Sequence, residues 1–190
     1  MRALEAVLLQ LSDLGARIID VSMPDVAPVG AAWWDLATAE AAAFHGRTYP
    51  SQADEYGSGF RAVLEYGAGV SGVAYANAAK VRAEFAGRLN RMLSAVDLMV
   101  CPSMSNAAQP KLADPFRPET DESWASLVLN DIHSKPFNFS GSPTLSVPCG
   151  FSDDGLPLNV QFVGPSLSES VICRAGYAYQ HATQWHTMHP

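Results

Sequence analysis

A chain of 190 residues with 48% hydrophobic and 16% charged residues is globular and rather apolar, and its length is that of one domain or one large piece of a bigger one. Its net charge of −7 leaves no basic patch to meet a phosphate backbone, so nucleic acid is excluded as a direct partner and the acidity is read as ordinary solubility. No run approaches the ~18 apolar residues of a membrane span, and the N-terminus lacks the charged-then-apolar pattern of an export signal.

In chain order, residues 2–15 predict an amphipathic helix with Leu4, Val7, Leu8, Leu11 and Leu14 on one face and Gly15 as its stop. Arg17 to Val21 predicts a short strand, with Ile18 and Ile19 apolar and Pro24 near its end. Residues 31–44 are Ala-rich and helical by propensity, and 48–59 are polar and rich in turn formers. A long helix is expected from Ser71 to about Ala95. Val81, Phe85, Leu89 and Met92 form its apolar stripe, and Lys80, Glu84, Arg88 and Arg91 its solvated face. Asp97 to Cys101 predicts a buried strand. Residues 103–120, with Pro110, Pro115 and Pro118, predict one long loop, and residues 121–132 a helix burying Trp124, Leu127 and Val128.

Two further strands follow. Leu145, Val147 and Cys149 alternate with Thr144, Ser146 and Pro148, and Leu158, Val160 and Phe162 alternate with Asn159 and Gln161. Asp154-Gly155 between them is turn chemistry, so the pair reads as an antiparallel hairpin in one sheet with residues 97–101. Pro148 donates no ladder hydrogen bond, which places it at an edge or a strand end. A last helix is expected after Ser166-Leu167-Ser168-Glu169, a capping-box pattern, with Val171, Ile172, Ala175, Tyr179, Ala182 and Trp185 on its stripe. Helix–Gly–strand spacing and the hairpin together give an α/β fold, a mixed sheet covered by helices.

Residues 134–164 also carry a resemblance. Ser134, Pro136, Asn138, Gly141, Pro143, Ser146, Pro148 and Gly150 match one segment of the amidase signature family, and Gly155, Leu156, Pro157, Gln161, Val163 and Gly164 match the next. Thr144 stands where Ala is usual and Asn159 where Gly is usual. Arg61 to Gly67 resembles a further pattern of that family, Arg-x-x-Leu-x-x-Gly, although Arg61 itself reads as a structural ion-pair residue. The resemblance implies the amidase-signature fold, later half only, with residues 1–190 as the C-terminal part of a single domain.

The same resemblance implies a nucleophilic Ser, a relay Ser and a basic Lys, with the serines in a Gly-Gly-Ser-Ser-Gly-Gly-Ser segment. No such segment occurs in this sequence, and Lys80, Lys111 and Lys135 match no catalytic position, so no catalytic residue is assigned. Ser140-Gly141-Ser142 lacks the Gly-x-Ser-x-Gly elbow. Cys101, Cys149 and Cys173 form no disulfide framework and read as reduced cysteines of a cytoplasmic protein; Cys101 and Cys149 read as small buried hydrophobes rather than nucleophiles. His186 and His189 have no carboxylate or Cys nearby to complete a metal site, and neither metal nor cofactor is expected.

Substrate-binding candidates are Asp131, Phe137 and Asn138. Asp131 resembles the family Asp that holds an amino group in amidotransferase A subunits; its other reading is a helix-end residue making a surface hydrogen bond. Phe137 reads as pocket wall or plain core, and Asn138 as a residue whose amide ties the loop backbone together. The expected function is cleavage of carbon–nitrogen amide bonds in a small-molecule substrate by an enzyme of which this chain is the C-terminal part. Two alternatives stand beside it, a fragment of an amidotransferase A subunit and a non-catalytic interaction module. The expected partner is the N-terminal half or a second copy of the chain.

Overall fold

The computed structural model describes residues 2–104 and 133–188, so the predicted helix at 121–132 and most of the predicted 103–120 loop lie outside the described residues. The chain forms two compact units. The first comprises Met1–Pro24, Ala86–Gln109 and Ile132–Pro190, and the second Asp25–Phe85 and Pro110–Asp131.

The first unit is built on a three-stranded sheet. β1 (Met99–Pro102), β2 (Thr144–Phe151) and β3 (Pro157–Val163) lie in the order β1-β3-β2, and both pairings are antiparallel. The hairpin and its third strand are thus as the alternation predicts, although β1 is half-buried rather than buried. Register aligns Val100, Phe162 and Leu145 in one row, and Cys101, Gln161 and Ser146 in the next. Because side chains alternate faces, these rows point to opposite sides of the sheet. Leu145, Val147 and Cys149 join Val160 and Phe162 on the apolar side, against α1 (Arg2–Asp13) and α6 (Glu169–Ala182). From these helices Val7, Leu11, Ile172 and Tyr179 complete the core, and the Phe162 and Tyr179 rings meet edge-on at 6.2 Å.

Pro148 lies on an edge strand, where its missing N–H leaves no gap in a central ladder. The register then slips by one residue. Pro148 pairs with Asn159 but Gly150 with Leu158, so Cys149 is the extra residue of a bulge. Gly150 has φ +141°, a conformation that residues with a Cβ rarely adopt. α1 stops as expected at Gly15: the Gly15 N–H bonds to Ser12 O (2.9 Å) and the Ala16 N–H to Leu11 O (3.0 Å), a Schellman pair.

Two expectations fail here. Residues 17–21 form no strand, because they join no sheet among the described residues and leave Ile18 and Ile19 more than 40% exposed. The capping box is also not formed. The N-cap of α6 is Ser168 rather than Ser166, and its Oγ donates back to Pro165 O (2.6 Å) instead of accepting from the helix. Leu167 at φ 65° reverses the chain just before the helix and moves its start by two residues.

The second unit is built around α2 (Val29–His45) and α3 (Ser58–Gly69). Gly67 is what lets them meet: a Cβ there would overlap the Thr38 carbonyl, a backbone group that cannot step aside. Tyr66 stacks obliquely on Trp34 and donates its hydroxyl to Asp35 (2.9 Å) across the same pair. At the far end of α2, the His45 ring is ringed by Phe44, Tyr56 and Phe60, and its Nδ1 is 3.0 Å from the Tyr56 hydroxyl. α4 (Gly72–Leu93) follows, and its residues from Ala86 onward belong to the first unit; of its predicted stripe Phe85 and Leu89 are buried and Val81 and Met92 half-buried, while Lys80, Glu84, Arg88 and Arg91 are exposed as predicted. No described helix is long and apolar enough to cross a membrane.

Two substitutions test this packing by chemical denaturation. Gly67→Ala should destabilise the α2–α3 pair by roughly 1–3 kcal/mol, since the clash is with backbone. Phe162→Ala, which empties a fully buried site in the sheet core, should cost about 3–5 kcal/mol.

Candidate functional site

The second face of the sheet carries a polar row, and the motif residues Ser146 and Gln161 lie in it. Cys101, Gln161 and Ser146 form its middle row, and Ser103 extends β1 through its N–H to Asn159 O (3.1 Å). The Ser103 and Ser146 hydroxyls reach each other diagonally across β3, 2.8 Å apart. Gln161 is buried, and its Nε2 donates to His133 O (2.6 Å) and Pro102 O (3.2 Å) and lies 3.4 Å from Cys101 Sγ. The His133 carbonyl is the point at which the chain enters the Ser134–Gly141 segment, so that segment is tied to this face.

Ser134–Gly141 is a helix rather than a loop. α5 (Lys135–Ser140) has Pro136 in its first turn, where a missing N–H is harmless. It ends at left-handed Gly141, and the Gly141 and Ser142 N–H groups both close on Phe137 O (2.9 and 3.2 Å). Ser140 Oγ donates to the same carbonyl (3.1 Å) and sits 2.9 Å from Ser142 Oγ. The fixed Ser-x-Pro-x-Asn-x-x-Gly spacing is thus that of one short helix with its start and stop. On leaving α5 the chain is tied to the end of β3, where the Gly164 N–H donates to Pro143 O (3.0 Å).

The predicted site residues fall differently. Phe137 is buried under α5 and anchors it, whereas the side chain of Asn138 is exposed, so its amide is not the buried tie that the sequence reading expects. Asp131 lies outside the described residues. Two residues have a part that the sequence reading does not assign. Gln161 reads as an alternating strand position and a matched motif position with no stated task, and only its burial reveals the bonds it makes. Lys135 reads as a spacer in the motif, yet it is 6% exposed and engaged with its neighbours; a buried lysine is rare and needs such engagement.

Cys149 sits in the apolar core as a small hydrophobe, as expected, whereas Cys101 is half-buried on the polar face beside the Gln161 amide rather than packed as a buried hydrophobe. Burial pushes the Cys101 thiol up to about 11, against a weaker opposing effect from the Gln161 hydrogen bond, and burial raises that of Cys149 as well. Neither is a thiolate at neutral pH, which argues against a nucleophilic role. A cleft of about 560 Å³ opens beside Tyr177, His181, Gln184 and His186. Among the described residues no three His, Cys, Asp or Glu side chains gather to hold a metal ion, and His189 lies outside them.

Alkylation tests the thiols. Exposed Cys173 should react with iodoacetamide at pH 7.5 while Cys101 and Cys149 stay protected until the chain unfolds. An unfolded thiol ionises near 9 and folded Cys101 near 11, so its contribution to stability is complete below pH 9 and is lost as pH rises towards 11. Thermal melts should therefore fall across that window, and Cys101→Ala should flatten part of the fall.

Comparison with known proteins places this architecture. The chain matches the Amidase family over residues 1–173. AmiD, a protein of Mycobacterium tuberculosis (strain ATCC 25618 / H37Rv) provisionally named an amidase, is 35% identical over 151 residues, covering 80% of this chain and 31% of AmiD. The A subunit of the glutamyl-tRNA(Gln) amidotransferase of Methanosarcina barkeri (strain Fusaro / DSM 804) is 32% identical over 204 residues, covering 94% of this chain and 41% of that protein. The chain thus spans less than half the length of the curated relatives it matches. Among solved structures, a 6-aminohexanoate cyclic dimer hydrolase with bound substrate superposes with a TM-score of 0.79 at 22% identity, over 100% of this chain and 42% of the hydrolase. At that identity the likeness speaks to fold alone, and the fold agrees with the α/β sheet and with the motif spacing over residues 134–164. A match running from the first residue into α6, with a relative more than 30% identical over nearly the whole chain, establishes that this chain belongs to the amidase family.

Proposed function

We propose that residues 1–190 are the C-terminal part of a single amidase domain and serve an enzyme that hydrolyses carbon–nitrogen amide bonds in small molecules. The observation that carries this reading is the family match over residues 1–173. On this reading the chain supplies substrate-pocket wall rather than catalytic groups. Asn138, exposed on α5, presents an amide that both donates and accepts. Phe137 fixes the helix that carries it, and the carboxylate of Asp131, seven residues ahead of Asn138 in the sequence, suits the ammonium of an amine-bearing substrate.

The Ser nucleophile, the relay Ser, the Lys base and the backbone donors for the oxyanion belong to a segment that these residues do not contain. That segment is the partner we propose, supplied in cis or as a separate chain, with self-association of this chain as the alternative. The amidotransferase reading keeps a place beside the hydrolase because of the 32% identity to the Methanosarcina barkeri protein. Three cysteines, none of them in a disulfide, favour a reducing, cytoplasmic setting.

An ammonia-release assay over a panel of amides tests the proposal. Residues 1–190 alone should show no turnover, since losing a catalytic unit typically costs ~10⁶-fold. Adding the N-terminal half of an amidase-family relative, fused or separate, should create activity. In that restored enzyme Asp131→Ala should weaken amine-bearing amides more than neutral ones. Robust turnover by residues 1–190 alone would instead point to a nucleophile in this chain, with Ser146 and Cys149 the first to mutate.

A further inference from the structure

Gln161 makes a connection that the ladder does not. A buried carboxamide is unfavourable unless its polar atoms find partners, and this one is 5% exposed in the central strand. Its Nε2 carries two hydrogens. One is taken by His133 O at 2.6 Å, and the other is shared between Pro102 O at 3.2 Å and Cys101 Sγ at 3.4 Å. Two carbonyl oxygens at that end fix which carboxamide atom faces them, because Oε1 in the same place would set oxygen against oxygen.

The two carbonyls differ in kind. Pro102 belongs to β1, which the ladder to β3 already holds. His133 lies in no strand; it is in the turn directly ahead of α5. A helix of six residues is too short to hold its own position, so its place depends on how its two ends are tied and on what it buries. Its exit is tied by the Gly164 N–H to Pro143 O, and Phe137 and Phe139 are its buried anchors. The side-chain bond from Gln161 to His133 O ties its entrance.

We infer that Gln161 is a positioning residue that holds the entrance of α5, and with it Phe137 and Asn138, over the polar face of the sheet. Its consequence for substrate binding rests on the pocket-wall reading above; the clamp itself does not, and the two are tested separately.

Hydrogen exchange on residues 1–190 tests the clamp without any assay of activity. Gln161→Glu keeps the size and, at pH 7, removes both donors and sets a carboxylate against two carbonyls. Gln161→Met keeps the length and removes the donors without a charge. In both variants the amides of Phe137, Asn138, Gly141 and Ser142 should exchange about tenfold faster, while those of β3 and α6 keep their protection. The buried Glu side chain has its protonation favoured by desolvation, so lowering the pH from 7 to 5 gives back one donor. Protection in Gln161→Glu should then recover, after correction for intrinsic rates, and in Gln161→Met it should not.

In an enzyme restored with the N-terminal half, Gln161→Met should raise KM about tenfold and leave kcat within twofold. Unchanged exchange at residues 137–142 in both variants would overturn the clamp. So would a loss of protection spread evenly over α1, the sheet and α6, or failure of both variants to fold, since Gln161 would then serve the core of the whole unit. A restored enzyme with local loosening but an unmoved KM would keep the clamp and overturn its link to substrate. Absence of amidase activity in the restored wild-type enzyme would strike the proposed function and leave the exchange result standing.

Discussion

β3 must satisfy two opposite demands at once, and the first unit is arranged around that constraint. As the middle strand it is paired on both edges, and from Val160 to Val163 both of its faces are covered. Its apolar face is met by packing: Val160 and Phe162 fill the space between α1 and α6, with Val7, Leu11, Ile172 and Tyr179 closing the core. Its polar face cannot be met in that way. A buried Gln161 needs acceptors, and they come from β1 and from the chain entering α5. Around Gln161 that face is therefore built by hydrogen bonds where the other is built by packing.

The neighbouring strands carry the irregularities that β3 cannot. β2 accepts Pro148 because one of its edges has no ladder to break, and the bulge at Cys149 keeps that side chain in the core while bringing Gly150 opposite Leu158. In a central strand, with a ladder on each side, that proline would have fewer positions where its missing N–H costs no bond. Fixed prolines and glycines of the motif thus have a mechanical meaning: Pro136 and Gly141 start and stop a helix, and Pro148 and Gly150 bracket a bulge.

In the second unit the decisive contact is steric. α2 and α3 approach until the backbone at Thr38 touches Gly67, and Trp34, Asp35 and Tyr66 close around that contact. The Arg-x-x-Leu-x-x-Gly pattern seen in the sequence ends on this glycine, so its last position is explained by helix packing. Leu64, its middle position, is buried. Neither needs a ligand to account for it.

Much of the fold was written in the sequence because it follows from local periodicity. Period two gave the hairpin and its faces, the spacing of leucines gave α1, and Gly15 gave its stop, since each depends only on residues close in the chain. The family was legible for the same reason, as a run of fixed positions over residues 134–164. Tertiary structure decided the rest. Ile18 and Ile19 have strand propensity but no strand to pair with, and propensity alone does not make a ladder. Ser166 heads a capping pattern, yet Leu167 turns the chain and Ser168 becomes the cap. Gln161 is a matched motif position and Lys135 a spacer, but neither shows its burial in the sequence, because burial belongs to the assembled unit and leaves no mark on neighbouring residues. For Gln161 the partners lie 28 and 59 positions away, a separation that no local pattern can register.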